Sequence, residues 1–294
     1  MTKARPRTTA EVLALARPFL AERGVEAARL EAELLVAHAL ALTRLELYLA
    51  LERPVSDAEL DAARALLVRR AKGEPTAYLI GAREFYGRSF AVTPAVLIPR
   101  PETELLVDLA RERFAGRAAP RIAELGTGSG CIAVTLALEL PAATVAACEV
   151  SAAALAVARA NRDRLLGSDA GRVALVEGDG FAALGSGPFD LVVSNPPYVD
   201  PDQSAELAAS VRDHEPGLAL FAPRGSVDHW AHALVEAAPR LLAPDGVLLV
   251  ELGADQARRL RPWCAERGLV PIFHTDLGGH ERVLEWRAGG KLPA

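Results

Sequence analysis

From Arg121 onward, short apolar runs alternate with stretches of helical periodicity, and that alternation constrains the fold more than any other feature of the chain. Strand-like runs fall at Arg121–Leu125, Thr144–Cys148, Val173–Glu177, Phe189–Ser194, Gly246–Glu251, Val270–His274 and Val283–Trp286. Helical patterns separate most of them, at Cys131–Leu140, Ser151–Leu165, Val227–Leu242 and Asp255–Arg267. Strand and helix in alternation predict a doubly wound α/β sheet, mostly parallel, with a site at the carboxyl ends of its central strands. Only residues 275–282 join the last two of the seven runs. A link that short holds no crossover helix, so the last strand is expected to be antiparallel.

The chain ahead of Arg121 reads differently. Apolar residues at three- and four-residue spacing predict helices over Glu11–Arg23, Val25–Leu42 and Asp57–Lys72, broken at Gly24, residues 52–55 and residues 73–75, with Ser56 as an N-cap. This small helical module either caps the larger domain or docks a macromolecular substrate. Short alternating segments at Glu84–Tyr86 and Ser89–Val92, separated by Gly87-Arg88, suggest a β-hairpin. Leu97–Glu104 follows, in which Pro99 and Pro101 flank Arg100. It makes a stiff lead into the helix Thr103–Phe114 and can line a site. The 294 residues, 51% of them hydrophobic, suffice for one large and one small domain with separate cores.

Composition excludes several classes. The basic N-terminus is followed by Glu11, Arg17 and Glu22, which break any signal-peptide core, and no run reaches membrane length, so a cytoplasmic protein is expected. Cys131, Cys148 and Cys264 are odd in number and widely spaced, which indicates neither disulfides nor a metal site; buried small apolar positions are expected. A net charge of −5 argues against a broad nucleic-acid footprint. Asparagine occurs only twice, at Asn161 and Asn195.

Asn195 opens the tetrapeptide Asn195-Pro196-Pro197-Tyr198 directly after an expected strand end. The prolines fix φ and lack N–H groups, and a residue before proline is held extended, so the amide of Asn195 sits on a stiff backbone. Its side-chain oxygen and the Pro196 carbonyl can each accept one N–H of a planar amine, with the Tyr198 ring on the amine's face. At the end of the first strand of the large domain, Glu124-Leu125 leads into Gly126-Thr127-Gly128-Ser129-Gly130, where glycines let backbone approach a ligand at a helix N-terminus. Cys131 occupies the third glycine position of a dinucleotide fingerprint, which disfavours a nicotinamide cofactor. Glu149 lies 25 residues after Glu124, at the next strand end, where a carboxylate can accept both hydroxyls of an adenosine ribose. Asp179 and Gly180, after the third strand, fall where an adenine would lie.

Together these motifs resemble a class I S-adenosylmethionine-dependent methyltransferase acting on a planar nitrogen. With the N-terminal helices, Leu97–Glu104 and Glu215-Pro216-Gly217-Leu218-Ala219-Leu220, the chain from about Glu11 to Trp286 resembles the peptide chain release factor glutamine methyltransferases. The resemblance implies a seven-stranded class I methyltransferase sheet with its last strand antiparallel. It divides the chain into an N-terminal helical substrate-docking domain (1–76), a β-hairpin linker (77–104) and a catalytic domain (105–294). It implies that Gly126, Thr127, Gly128, Ser129 and Gly130 cradle the methionine part of S-adenosylmethionine and that Glu149 holds its ribose. It implies further that Asn195 touches cofactor and substrate, and that Pro196, Pro197 and Tyr198 complete the pocket for a glutamine amide in a Gly-Gly-Gln motif. Release factors would be the partners, with the enzyme a monomer, no metal and no nucleic-acid substrate. Gly180 departs from relatives that carry tryptophan there, and residues 278–282 vary the usual final hairpin. The alternative is an amino-methyltransferase acting on adenine N6 or guanine N2, since Asn-Pro-Pro-Tyr occurs there too; such an enzyme needs a flipped or single-stranded base.

Overall fold

The computed structural model describes residues 7–185 and 187–288. Two compact units emerge: one takes the chain up to Ala82 together with Ala208–His214, the other Arg83–Leu207 and Glu215 onward.

The first unit is built from α1 (Thr9–Ala21), α2 (Ala28–Ala39), α3 (Arg44–Leu49), α4 (Asp57–Ala71) and α5 (Thr76–Ile80). Three of these helices start on capping boxes, Thr8 with Glu11, Thr43 with Glu46 and Ser56 with Glu59, so each start is fixed by reciprocal side-chain and backbone bonds. The helix expected from Val25 begins at Ala28, and α3 and α5 are too short to leave a periodic signature. A core of Leu13, Leu20, Leu35, Val36 and Leu47 closes this unit. Within it Glu33 is fully buried and accepts from Arg17, Arg29, Arg44 and Tyr48.

The hairpin comprises β1 (Ala82–Phe85) and β2 (Arg88–Ala91), so its turn is Tyr86-Gly87, one residue earlier than expected. Both turn residues have positive φ, 52° and 69°, as a two-residue hairpin of this hand requires. Tyr86 is held there by its N–H on Glu104 (2.7 Å) and its hydroxyl on Asp108 (2.7 Å).

The large sheet follows: α6 (Glu104–Phe114), β3 (Arg121–Leu125), α7 (Cys131–Glu139), β4 (Thr144–Glu149), α8 (Ala152–Leu166), β5 (Val173–Glu177), β6 (Phe189–Ser194), the short α9 (Ala209–Arg212, in the first unit) and α10 (Gly217–Leu220), α11 (His229–Leu241), β7 (Leu242–Glu251), α12 (Gln256–Glu266), β8 (Ile272–Thr275) and β9 (Glu281–Arg287). Its seven strands run β5-β4-β3-β6-β7-β9-β8. β3 to β7 pair in parallel, and β9 is antiparallel to both β7 and β8. This is the doubly wound class I methyltransferase sheet, with the last strand inserted between the two before it. One face packs α6, α7 and α8 through Leu106, Leu136 and Leu155; the other packs α11 and α12 through Leu234 and Leu260. β3 and β6 are buried on both faces over most of their length because helices cover both. All three cysteines are buried and unbridged, and among the described residues no helix is long and apolar enough to cross a membrane.

Candidate active site

The register brings three strand ends level. Leu125 of β3 stands opposite Cys148 of β4 and Ser194 of β6, and the Ser194 hydroxyl donates to the Leu125 carbonyl at 2.8 Å. The loops that leave these ends therefore emerge side by side, and they wall a cavity of about 450 Å³, a size suited to a small ligand.

The glycine loop is pinned at its start, where the N–H groups of Gly126 and Thr127 donate to the Cys148 carbonyl at 3.0 and 3.1 Å. At its end Gly130 has φ +80°, and a Cβ there would lie 3.3 Å from the Cα of Ala158 in α8. A side chain at this position would strain the backbone and push α7 off α8. Gly130 is not on the cavity wall; it lets the two helices approach. Gly126, Thr127, Gly128 and Ser129 do line the cavity.

Glu149 bridges two loops: its Oε2 accepts from the Gly128 N–H at 2.9 Å and its Oε1 from the Ser151 N–H at 3.0 Å. Each oxygen keeps a lone pair for a further donor. Asp179 and Gly180 also line the wall, held by the Gly178 N–H on the Glu149 carbonyl at 3.0 Å. A Cβ on Gly180 would meet no atom within 4 Å, so the small residue leaves that wall open. Glu124 lies fully buried on the same wall. Thr127 donates to its Oε2 at 2.6 Å, while its Oε1 has no hydrogen-bond partner. Burial pushes this carboxyl up to about 7, against the Thr127 bond, and the Glu149 charge acts in the same direction as burial.

Asn195, Pro196 and Pro197 line the cavity as well. The Asn195 Nδ2 donates to the buried Thr103 hydroxyl at 3.1 Å. Tyr198 does not reach the wall. Val199 pairs with Phe221, its N–H on the Leu220 carbonyl at 3.0 Å. That pairing turns the Tyr198 ring against Gly253, where a Cβ would sit 3.0 Å from the ring. Burial there pushes its phenol up to about 12, so Tyr198 packs behind the loop and forms no face of the pocket.

Several participants carry no motif. Thr103, at the end of the proline-flanked lead, meets Asn195 across 92 positions of sequence. Glu251 stands 2% exposed at the end of β7, and burial raises it to about 7. Arg100 pairs with the buried Glu215 at 2.6 Å, and the Ile98 N–H donates to the same carboxylate at 3.1 Å, which ties two walls of the cavity together. Asn161 of α8 is fully buried: it bonds both backbone groups of Ala91 in β2 and donates to the Ser129 carbonyl at 2.9 Å. Its spacing from Leu155 and Ala158 on the buried face of α8 is the one sequence signal that marks it. No histidine lines the cavity, and the wall thiols of Cys131 and Cys148 are pushed by burial up to about 12 and about 11, which leaves them protonated.

An acid and a glycine loop after the first sheet strand, a second acid one strand over, and a proline-stiffened amide at the end of the fourth define a class I methyltransferase. Similarity to known proteins narrows this. A family model described as "PrmC N-terminal domain" matches residues 11–81, and one described as "Methyltransferase small domain" matches residues 101–211. The release factor glutamine methyltransferase of Geobacter sulfurreducens is 44% identical over 96% of this chain and 97% of its own length. That of Chlorobaculum tepidum is 48% identical over 85% of this chain and 87% of its own. The chain belongs to the release factor glutamine methyltransferase family. Among solved structures, the hMettl16 catalytic domain in complex with a MAT2A 3′UTR hairpin shares the fold, with a TM-score of 0.54 and 17% identity over 78% of this chain and 84% of that one.

Proposed function

We propose that the protein transfers the methyl group of S-adenosylmethionine to the side-chain nitrogen of the glutamine in the Gly-Gly-Gln motif of a peptide chain release factor, in the cytoplasm and as a single copy. The observation that carries this reading is the Asn195 amide: its nitrogen is occupied by Thr103, which leaves its oxygen as an acceptor on the wall of the same cavity that holds the glycine loop.

The cavity residues fit the cofactor. Glu149 keeps acceptor capacity for the ribose hydroxyls, Gly126 to Ser129 bring backbone to the wall, and the unpartnered Oε1 of buried Glu124 is an acceptor suited to a cationic donor. When bound, S-adenosylmethionine supplies an electrophilic methyl group on a positively charged sulfur. The protein's task is then orientation. An amide nitrogen is a poor nucleophile because its lone pair is delocalised, so its NH2 must be held in line with the methyl carbon. Asn195 Oδ1 accepts one of its N–H groups, and the prolines keep that acceptor from swinging away. With the cofactor held there, a C–N bond would form as the methyl's bond to sulfur broke, and the nitrogen would release one proton to solvent.

The helical unit docks the intact factor. An apolar groove lined by Val12, Leu15, Phe19, Leu60, Leu67 and Val68, with Leu15 53% exposed, supports that role. The test is labelled methyl transfer to a purified release factor, to the same factor with its Gly-Gly-Gln glutamine changed to alanine, and to DNA and ribosomal RNA. Label only on the unaltered factor is expected. Asn195→Ala should cut the rate by about a hundredfold; label on nucleic acid, or a near-normal rate in that variant, sinks the reading.

A further inference from the structure

Adenine is the one large flat group of S-adenosylmethionine, and a flat aromatic group taken out of water is held well against another ring. Tyr198, the aromatic residue of the proline loop, is turned away against Gly253. Among the described residues that line the cavity, Trp230 carries the one aromatic ring.

Its place in the fold decides which end of the cavity it serves. Trp230 stands in the first turn of α11, on the face of the sheet opposite α6, α7 and α8. The turn Phe181–Leu184, which follows Gly180, packs on that same face. Leu184 is buried in one core with Leu234 and Val235 of α11, and Phe181 and Trp230 both pack against that core. The proline-flanked lead that brings Thr103 to Asn195 runs instead into α6, on the other face. Trp230 thus shares a side with Gly180, at the end of the cavity marked by Glu149 and Asp179. Gly180 offers backbone only there, with φ +66°. Val150, next to Glu149, is 48% exposed on the same wall and adds apolar surface that a flat ring would cover.

The ring is set before a ligand arrives. Gln256 Nε2 donates to the Val227 carbonyl at 3.2 Å and to Asp228 Oδ1 at 3.0 Å, and Arg259 Nε donates to Asp228 Oδ2 at 2.8 Å. The His229 N–H closes the turn on the Ser226 carbonyl at 2.9 Å. The His229 ring then meets Trp230 edge-on, with centroids 5.1 Å apart. A side chain held in this way loses little freedom on binding.

We propose that Trp230 is a cofactor-binding residue whose ring packs on the adenine of S-adenosylmethionine. The assignment concerns the cofactor alone and does not rest on the release-factor reading.

The test uses 5′-methylthioadenosine, which keeps the nucleoside and the sulfur but lacks the amino-acid part. Tryptophan occurs only at positions 230, 263 and 286, so its fluorescence reports on few sites. Methylthioadenosine should quench that fluorescence in the wild type. Trp230→Phe should abolish the quench while calorimetry shows binding within about threefold of wild type, because a ring remains. Trp230→Ala should weaken methylthioadenosine and S-adenosylmethionine alike, by about thirtyfold. The loss should appear in the KM for S-adenosylmethionine and not in that for the release factor. Trp230→Leu, which keeps apolar bulk in the turn without a ring, should bind as poorly as Trp230→Ala and decides the matter if the alanine variant is unstable. A quench that persists in Trp230→Phe, wild-type affinity in Trp230→Leu, or a loss confined to the KM for the release factor overturns the proposal. A wild type that methylates no release factor would sink the substrate assignment and leave the binding measurements, which need no acceptor, to decide this one.

Discussion

Glu124 shows how much a site residue's behaviour depends on what surrounds it. In the sequence it is merely the acid before a glycine loop. In the fold, β4 and β6 flank its strand and helices cover both faces, so burial pushes its carboxyl up to about 7 and leaves Oε1 without a partner. A cationic ligand beside it favours the ionised form and pulls that value down. Binding S-adenosylmethionine near pH 7 should therefore expel part of a proton, about half of one if the bound value falls well below 7. Calorimetric titration in phosphate and in Tris at pH 7 should give enthalpies that differ by that fraction of the buffers' ionisation enthalpies. The difference should vanish above pH 8.5 and in Glu124→Gln. Buffer-independent enthalpies in the wild type would mean that the cofactor's charge lies elsewhere.

At the scale of elements, Asn161 makes a long-range connection that no periodic pattern reveals. One side chain on α8 satisfies both backbone groups of Ala91 in the hairpin and the Ser129 carbonyl in the glycine loop. Asn161→Leu would leave the buried Ser129 carbonyl and the partly buried Ala91 groups without this partner, at roughly 1–3 kcal/mol each before relaxation, so a loss of about 3 kcal/mol in urea unfolding is expected together with weaker cofactor binding. Unchanged cofactor affinity at that loss of stability would confine Asn161 to a structural role. The same contrast explains what the sequence revealed. Alternation of strand and helix is written in periodicity, and so were the doubly wound sheet, the antiparallel last strand and the loops at the strand ends. Register and order are not, which is why the insertion of β9 between β7 and β8 was not foreseen. The hairpin turn moved because Tyr86 accepts positive φ only with Glu104 and Asp108 holding it, and those lie a helix away. Tyr198 left the pocket for a similar reason: the Val199 pairing with Phe221 joins segments that no motif connects.

Across the whole molecule, buried carboxyls shifted in opposite directions set the dependence of stability on pH. For Glu33, burial alone would raise the carboxyl, but the bonds from Tyr48, Arg44 and Arg29 outweigh it and hold it at about 2. Glu285 is likewise held at about 2, with His274, Arg113 and Arg287 outweighing burial. Both contribute stability that is present above pH 4.5, their ordinary value, and lost as pH falls toward 2. Glu124 and Glu251 run the other way. Between pH 4.5 and about 7 they keep a proton in the folded state that the unfolded chain has released, so stability falls as pH rises through that window. The maximum should thus lie near pH 5, at the lower end of the window. His232, lowered by burial from 6.5, partly opposes the decline, because its charging in the unfolded chain costs stability only as pH falls. That contribution is common to wild type and a Glu251→Gln variant and cancels in their difference. Urea unfolding of both proteins from pH 5 to pH 7.5 should show wild type losing stability more steeply, by up to about 1.4 kcal/mol per pH unit. The two curves should run parallel above pH 8, where Glu251 is ionised in both folded and unfolded chains. Curves parallel from pH 5 onward would mean that Glu251 ionises normally in the fold, with water reaching the end of β7.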